Sequence, residues 1–370
     1  MSNPSPTTPT THTENTMIGK AHRRGGTRAA LAGLAAFALL LTGCSGAAES
    51  GPGSTTKANN GTPVSVALGF LKNTEYAGNF VADDSGFYAD AGVKPTFIAG
   101  GPNAPAPEVA LASGQAQIAF ENNTSRLFSY LAKSQDIVII GQVLQRSPNG
   151  LLSLKTHPVR TPADLNGSKL IAAASNRSSI DTLIAINQVP KYTFVPGGAD
   201  VGALQAGQGD ALLSFASNQP VTLQQQGLKE GQDYFFTPFD QLNYYLMSDV
   251  IIVSKSYLEQ HRDLVVGFLS ATAKGWDKAM SDPKSAADVT VNKYATDQGL
   301  DPAQQESALR AQIPYMTSDL TKKNGLFALD PNDVSTKVYP SLGKGGLTGL
   351  PEPAKIIDMT VLKDASPVKK

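Results

Sequence analysis

Cysteine occurs once in these 370 residues, at Cys44, and tryptophan once, at Trp276. No disulfide can form within the chain, so the fold must rest on an ordinary apolar core. Histidine is scarce: four in all, with only His157 and His261 beyond residue 43. So few nitrogen and sulfur ligands argue against a zinc or iron site of the usual type. No metal and no cofactor is expected. An excess of charge is missing too. Basic and acidic residues number 31 each, and beyond residue 43 the balance is 27 to 30. Such a chain has no electrostatic footprint for nucleic acid or for an anionic membrane surface. It lacks a G-x-S-x-G elbow, a phosphate-binding P-loop and a dinucleotide fingerprint, and Gly100-Gly101-Pro102 has the wrong spacing for the last. An enzyme is therefore not expected.

What the chain does have begins with the setting of Cys44. Lys20, Arg23, Arg24 and Arg28 precede the apolar stretch Ala29 to Leu41, which is followed by Thr42-Gly43-Cys44. A basic segment, a short apolar segment and small residues at the cut make a secretory signal. The apolar segment falls well short of the roughly 20 residues that span a bilayer, and no other stretch reaches that length. The end of the segment resembles a bacterial lipoprotein signal. That resemblance implies cleavage before Cys44, a diacylglyceryl group on its sulfur and attachment to the outer face of the cell membrane. The alternative is a buried free thiol. Residues 1–16 are Pro/Thr-rich and fit no signal, so Met17 is a second candidate start. The signal spans 1–43, and 44–62, small and polar, reads as a flexible tether.

The remainder alternates. Strands are expected at Val64–Leu68, Val93–Ile98, Gln117–Phe120 and Ile137–Ile140, with helical segments between them. The alternation restarts at Leu151–Leu154, with further strands at Lys169–Ala173, Tyr192–Val195, Ala211–Phe215 and Val250–Val253. Strand-helix alternation implies mainly parallel sheets flanked by helices, an α/β fold. The later chain is mostly helical, with one helix expected over Leu258–Met280. Leu264, Phe268, Leu269, Thr272 and Trp276 recur at helical spacing and read as core, with Trp276 packed against the first lobe rather than stacked on a ligand.

One unit occurs twice. Leu111-Ala112-Ser113-Gly114 and Leu204-Gln205-Ala206-Gly207 each end a helix at glycine and lead through a polar turn into a strand. Each unit follows a glycine pair, Gly100-Gly101 or Gly197-Gly198. A glycine just past a helix end caps it in the left-handed region. Two similar lobes follow: the first over 63–148, the second over 149–243, a return to the first lobe with C-terminal helices over 244–350, and a tail from 351 to 370.

The ordered motifs resemble the solute-binding proteins of ABC importers that serve thiamine pyrimidine precursors, nitrate, sulfonates and taurine. Leu68-Gly69-Phe70-Leu71-Lys72-Asn73-Thr74-Glu75-Tyr76-Ala77-Gly78-Asn79-Phe80-Val81-Ala82 is similar to that family's opening strand and loop. Gly86-Phe87-Tyr88, Ala112-Ser113-Gly114-Gln115-Ala116, Thr161-Pro162-Ala163-Asp164-Leu165-Asn166-Gly167 and Asn218-Gln219-Pro220-Val221 follow in the family's order. The resemblance covers roughly residues 63–310. It implies a two-lobed, type II-like periplasmic-binding-protein fold with a ligand cleft between the lobes. It also implies a monomer that delivers a small molecule to an ABC permease. Gly69, Lys72, Tyr76 and Gln219 replace the Asp, Pro, His and Glu of the pyrimidine-precursor branch, which leaves the ligand open.

In such sheets ligands bind beyond the carboxyl ends of the strands. That rule nominates Phe70, Asn73, Tyr76, Glu121 and Asn122 in the first lobe. In the second it nominates Ser175, Asn176, Arg177, Ser178, Phe215, Asn218 and Gln219, with Tyr244 near the return crossing. The loop from Ser175 to Ser178 opens a helix whose N–H groups suit an anion or a carbonyl. Arg177 would add a charge-assisted bond there, or is simply solvated. Phe70, Tyr76, Phe120, Phe215, Tyr244 and Tyr245 form an aromatic set, half of it expected to be core; the rest favour a planar ligand. Glu121 suits a ligand amine and repels a sulfonate, unless Lys72 or Arg126 pairs with it. The expected ligand is a small planar, nitrogen-containing heteroaromatic, similar to a pyrimidine precursor. The alternatives are a sulfonate, nitrate or taurine binder of the same family, and a surface lipoprotein with no transport role.

Overall fold

The computed structural model describes residues 61–101 and 103–365. The signal segment, Cys44, Met17 and nearly all of the tether lie outside the described residues.

Among the described residues ten strands form two five-stranded sheets. The first is ordered β2-β1-β3-β10-β4, with β1 Thr62–Ala67, β2 Val93–Ile98, β3 Ile118–Glu121, β4 Ile137–Leu144 and β10 Ser248–Ser254. The second is ordered β7-β6-β8-β5-β9, with β5 Asn149–Leu154, β6 Lys169–Ala172, β7 Thr193–Pro196, β8 Ala211–Phe215 and β9 Tyr234–Pro238. Helices flank both sheets, and each sheet has apolar core on its two faces. β1 pairs in parallel with β2 and β3, and β6 likewise with β7 and β8. The repeated unit thus builds the same three-strand order in each lobe. Gly114 and Gly207 close it at φ 73 and 71, which a glycine adopts without strain.

One strand in each sheet is reversed. β10 runs antiparallel to both β3 and β4, and β5 antiparallel to both β8 and β9. The cause is connectivity. The chain leaves the carboxyl end of β4 and enters the second sheet four residues later, so β5 runs away from the crossing. The return from β9 to β10 does the same to the first sheet. Alternation along the sequence carries no mark of this.

Other expectations need adjustment. β9 was not foreseen: it is short, ends in Pro238 and has β5 as its strand partner, at the sheet edge. The long helix expected from Leu258 is broken at His261 into Lys255–Gln260 and Arg262–Ser281. The expected tail is not one as far as residue 365. Pro353–Ile356 and Thr360–Ala365 are helical, Ile357 bridges to Ile139, and Val361 and Leu362 are buried in the first lobe's core. Trp276 is wholly buried in that same core.

Candidate functional site

Both crossings join the two sheets at the same ends. Residues 145–148 link β4 to β5, and 239–247 link β9 to β10. The carboxyl ends of β1, β3, β6 and β8 therefore face the space between the lobes. Arg146 of the first crossing makes a two-point ion pair with Asp240 of the second, at 2.6 and 2.9 Å. A cavity of about 180 Å³ opens beside this pair, lined also by Gln142, Tyr245 and Lys337.

On the first lobe's wall, Asn73 caps a short turn, Thr74–Tyr76, by accepting the Glu75 N–H at 2.7 Å. The helix Pro302–Met316 holds this turn in place. Gln305 bonds the Thr74 hydroxyl at 2.9 Å, and Gln312 donates to the Glu75 carbonyl at 3.3 Å. The turn presents Glu75, whose Oε1 accepts from the Tyr76 hydroxyl at 3.1 Å and from the Asn122 amide at 3.2 Å. Asp249, at the start of the reversed strand β10, lies within hydrogen-bonding reach of the Glu75 carboxyl. Asp249 is 1% exposed, and neither of its oxygens accepts a bond from any N–H or hydroxyl among the described residues. Burial raises its pKa well above the ordinary carboxylate value, and the charges of Glu75 and Glu121 raise it further. Burial raises that of Glu75 as well, against hydrogen bonds from Asp249, Asn122 and Tyr76. Burial and the neighbouring carboxyls thus favour the protonated form of Asp249 beside Glu75.

Glu121 lies one residue pair along the ladder, opposite Val250. It is 1% exposed and takes both its oxygens to Arg126 Nη2, at 2.8 and 2.9 Å. Arg126 Nε also lies 3.3 Å from buried Glu108. Two buried carboxyls thus share one guanidinium. Burial first, then the hydrogen bond with Glu108, push the Glu121 pKa up to about 8. The pairing with Arg126 makes Glu121 part of the wall's frame; it does not present a bare carboxylate to a ligand.

The nominated residues separate by burial. Tyr76 is buried, edge-on to the buried Phe120 at 6.0 Å. Tyr244 is buried and stacked on Phe239 at 5.1 Å, so its ring is second-lobe core. Its hydroxyl stands within reach of Ser125 of the first lobe and of Ser179 and Thr182 of the second. Phe70 is 42% exposed and Phe215 half-buried, so those rings remain accessible at the ends of β1 and β8. Tyr245, also exposed, lines the cavity at the crossings instead.

In the second lobe Ser175, Asn176, Arg177 and Ser178 are all exposed. The helix here is Arg177–Ile186, so Ser178 sits inside its first turn and does not cap it. Arg177 is occupied on the flank: its guanidinium lies over Phe194 at 5.0 Å and 3.5 Å from Asp181. Gln219 is spent within its own lobe. Its oxygen accepts from the Ser214 hydroxyl at 3.0 Å and the Phe215 N–H at 2.9 Å, and its amide donates to the Ala199 carbonyl at 3.1 Å. Asn218 beside it is exposed. Glu75 and Asp249 went unnominated. Their signals were slight: one acid inside a loop already assigned to the cleft, and one acid directly before the apolar run Val250–Val253.

The family model described as NMT1/THI5 like matches residues 73–286, from the cap of the Glu75 turn into the helix Pro283–Val289. The chain belongs to this family. Among curated proteins it is 24% identical over 330 residues to the riboflavin-binding protein RibY of Chloroflexus aurantiacus, covering 85% of this chain and 91% of that one. It is 24% identical over 235 residues to the formylaminopyrimidine-binding protein of Halalkalibacterium halodurans, covering 61% and 69%. Among solved structures, the periplasmic aliphatic sulphonate binding protein SsuA of Escherichia coli superposes with a TM-score of 0.59 at 15% identity, over 80% of this chain and 92% of that one. At that identity the likeness concerns the fold alone. The NMT1/THI5-like chain is thus a two-lobed α/β solute-binding protein.

Proposed function

We propose that this protein is an extracytoplasmic binding protein, lipid-anchored at Cys44, that captures a planar nitrogen heteroaromatic of the flavin or aminopyrimidine class for an ABC permease. The observation that carries the ligand class is the charge of the first lobe's wall. Half-buried Glu75 stands there beside Asp249, while Arg126, the cation paired with this wall among the described residues, is already taken by Glu108 and Glu121. Such a wall favours N–H donors and disfavours a sulfonate or nitrate. The accessible rings of Phe70 and Phe215 suit a flat solute. The names of the two curated relatives support the same class, and both are named as binding proteins.

A thermal-shift and calorimetric panel tests it: riboflavin, an aminopyrimidine, an alkanesulfonate and nitrate against the purified protein. Riboflavin or the aminopyrimidine is expected to raise the melting temperature. A response to the sulfonate or nitrate alone would refute the ligand class. For the anchor, Cys44→Ala is expected to move the protein from the membrane fraction to the soluble one with solute binding unchanged.

A further inference from the structure

The Glu75–Asp249 pair has a property that the ligand class alone does not require. A buried carboxyl with no donor is costly, more so when it is charged. Asp249 has none: both oxygens are shielded from solvent and accept no bond among the described residues. Within reach of it lies another acid, Glu75, whose Oε1 is already engaged by Tyr76 and Asn122. Two carboxyls this close are stable when one is protonated and donates to the other. Glu75 is only half-buried, so the pair is covered on the Asp249 side and accessible on the Glu75 side. No three such side chains are grouped so as to hold a metal ion among the described residues.

We propose that this pair is a proton-exchange contact for a cationic amine on the solute. The empty cleft keeps one proton on Asp249, and docking of a protonated amine at Glu75 expels that proton to solvent. The charge balance is simple: the pair goes from one negative charge to two as one positive charge arrives. The groups facing it are Tyr76 on the same turn and Glu121 on β3. Arg126 and Glu108 stand behind Glu121, and from the Pro302–Met316 helix comes only the uncharged Gln312 amide. None of these supplies a positive charge directly to Asp249, which leaves that part to the solute. The proposal rests on the cleft reading above and adds the solute's charge and the linked proton.

The test is calorimetry of the purified protein with 4-amino-5-aminomethyl-2-methylpyrimidine, a primary amine, and with riboflavin, which has none. Each is measured near pH 7 in two buffers of different ionisation heat. The expected result is release of close to one proton per amine bound, with affinity falling about tenfold per pH unit on acidification. Asp249→Asn, which keeps the shape and a donor to Glu75, should abolish the release, and Glu75→Gln should weaken the amine at least tenfold. The two-buffer comparison on the native protein needs no variant to fold. Amine binding with no proton released overturns the inference and leaves the binding-protein reading intact. So does tight riboflavin binding with no amine binding. Failure of both compounds to bind overturns both.

Discussion

Gly78 lies directly beneath the indole of Trp276. A Cβ at Gly78 would fall well inside van der Waals contact with the ring, and Gly275, one residue before Trp276, packs as closely on the Gly78 carbonyl. The helices Ala77–Asp84 and Arg262–Ser281 cross at this point, with glycine on each side allowing the backbones to meet. Gly78→Ala is therefore expected to destabilise by about 3 kcal/mol, the upper range for overpacking a core. Trp276→Leu should relieve part of that loss in the double variant. Urea unfolding followed by circular dichroism would show this as a non-additive cycle; additive losses would contradict the contact.

Gln219→Ala should act on stability before it acts on binding. It leaves the Phe215 N–H and the Ala199 carbonyl without their partner, at about 1–3 kcal/mol. Unfolding of the solute-free protein checks this. Gln219→Glu keeps the acceptor and loses the donation to Ala199, so it should fall between wild type and alanine.

Asn218→Ala should do the opposite. The side chain is exposed at the end of β8, and substitutions of that kind change stability by no more than about 0.5 kcal/mol. Melting should be unaltered while the solute that responds in the panel binds more weakly. Unchanged affinity would remove Asn218 from the site.

Arg126→Met removes the one cation between Glu108 and Glu121. Breaking a wholly buried pair costs about 3–5 kcal/mol. Arg126 is 38% exposed, so about 2–4 kcal/mol is expected at pH 8. The loss should shrink toward pH 5, where Glu121 takes up a proton instead.

Glu121 and Asp249 set a pH trend in the native protein. Asp249 and Glu121 have folded pKa values above those of the unfolded chain, about 8 for Glu121. A group of this kind stabilises the fold fully below its unfolded value, near 4, and loses that contribution as pH rises through the folded one. Melting of the solute-free protein should thus fall from about pH 5 to pH 9, and Asp249→Asn should flatten the decline. A rise between pH 6 and 8.5 would contradict the assigned protonation.

Much of the architecture was legible because it rests on local patterns. The glycine at the end of each repeated helix, the strand after it and the helical stripe through Phe268 and Trp276 are short-range signals. The reversal of β5 and β10 was not, since it depends on where the chain crosses between lobes. The site was less legible for a related reason. Spacing placed Glu121, Asn122 and Gln219 near strand ends, but only the fold reveals which groups already have partners. Arg126 takes Glu121 and the β8 turn takes Gln219. Asp249 becomes a neighbour of Glu75 only when a strand from the far end of the chain is inserted beside β3.

That insertion also fixes an order of assembly. All five strands of the second sheet lie between Asn149 and Pro238, a continuous stretch. In the first sheet β4 is joined to β3 only through β10, which arrives more than a hundred residues after β4. A chain emerging from its amino end can pair the second sheet while the first still has a gap between β3 and β4. The binding wall, with Asp249 in it, is complete only once β10 has arrived.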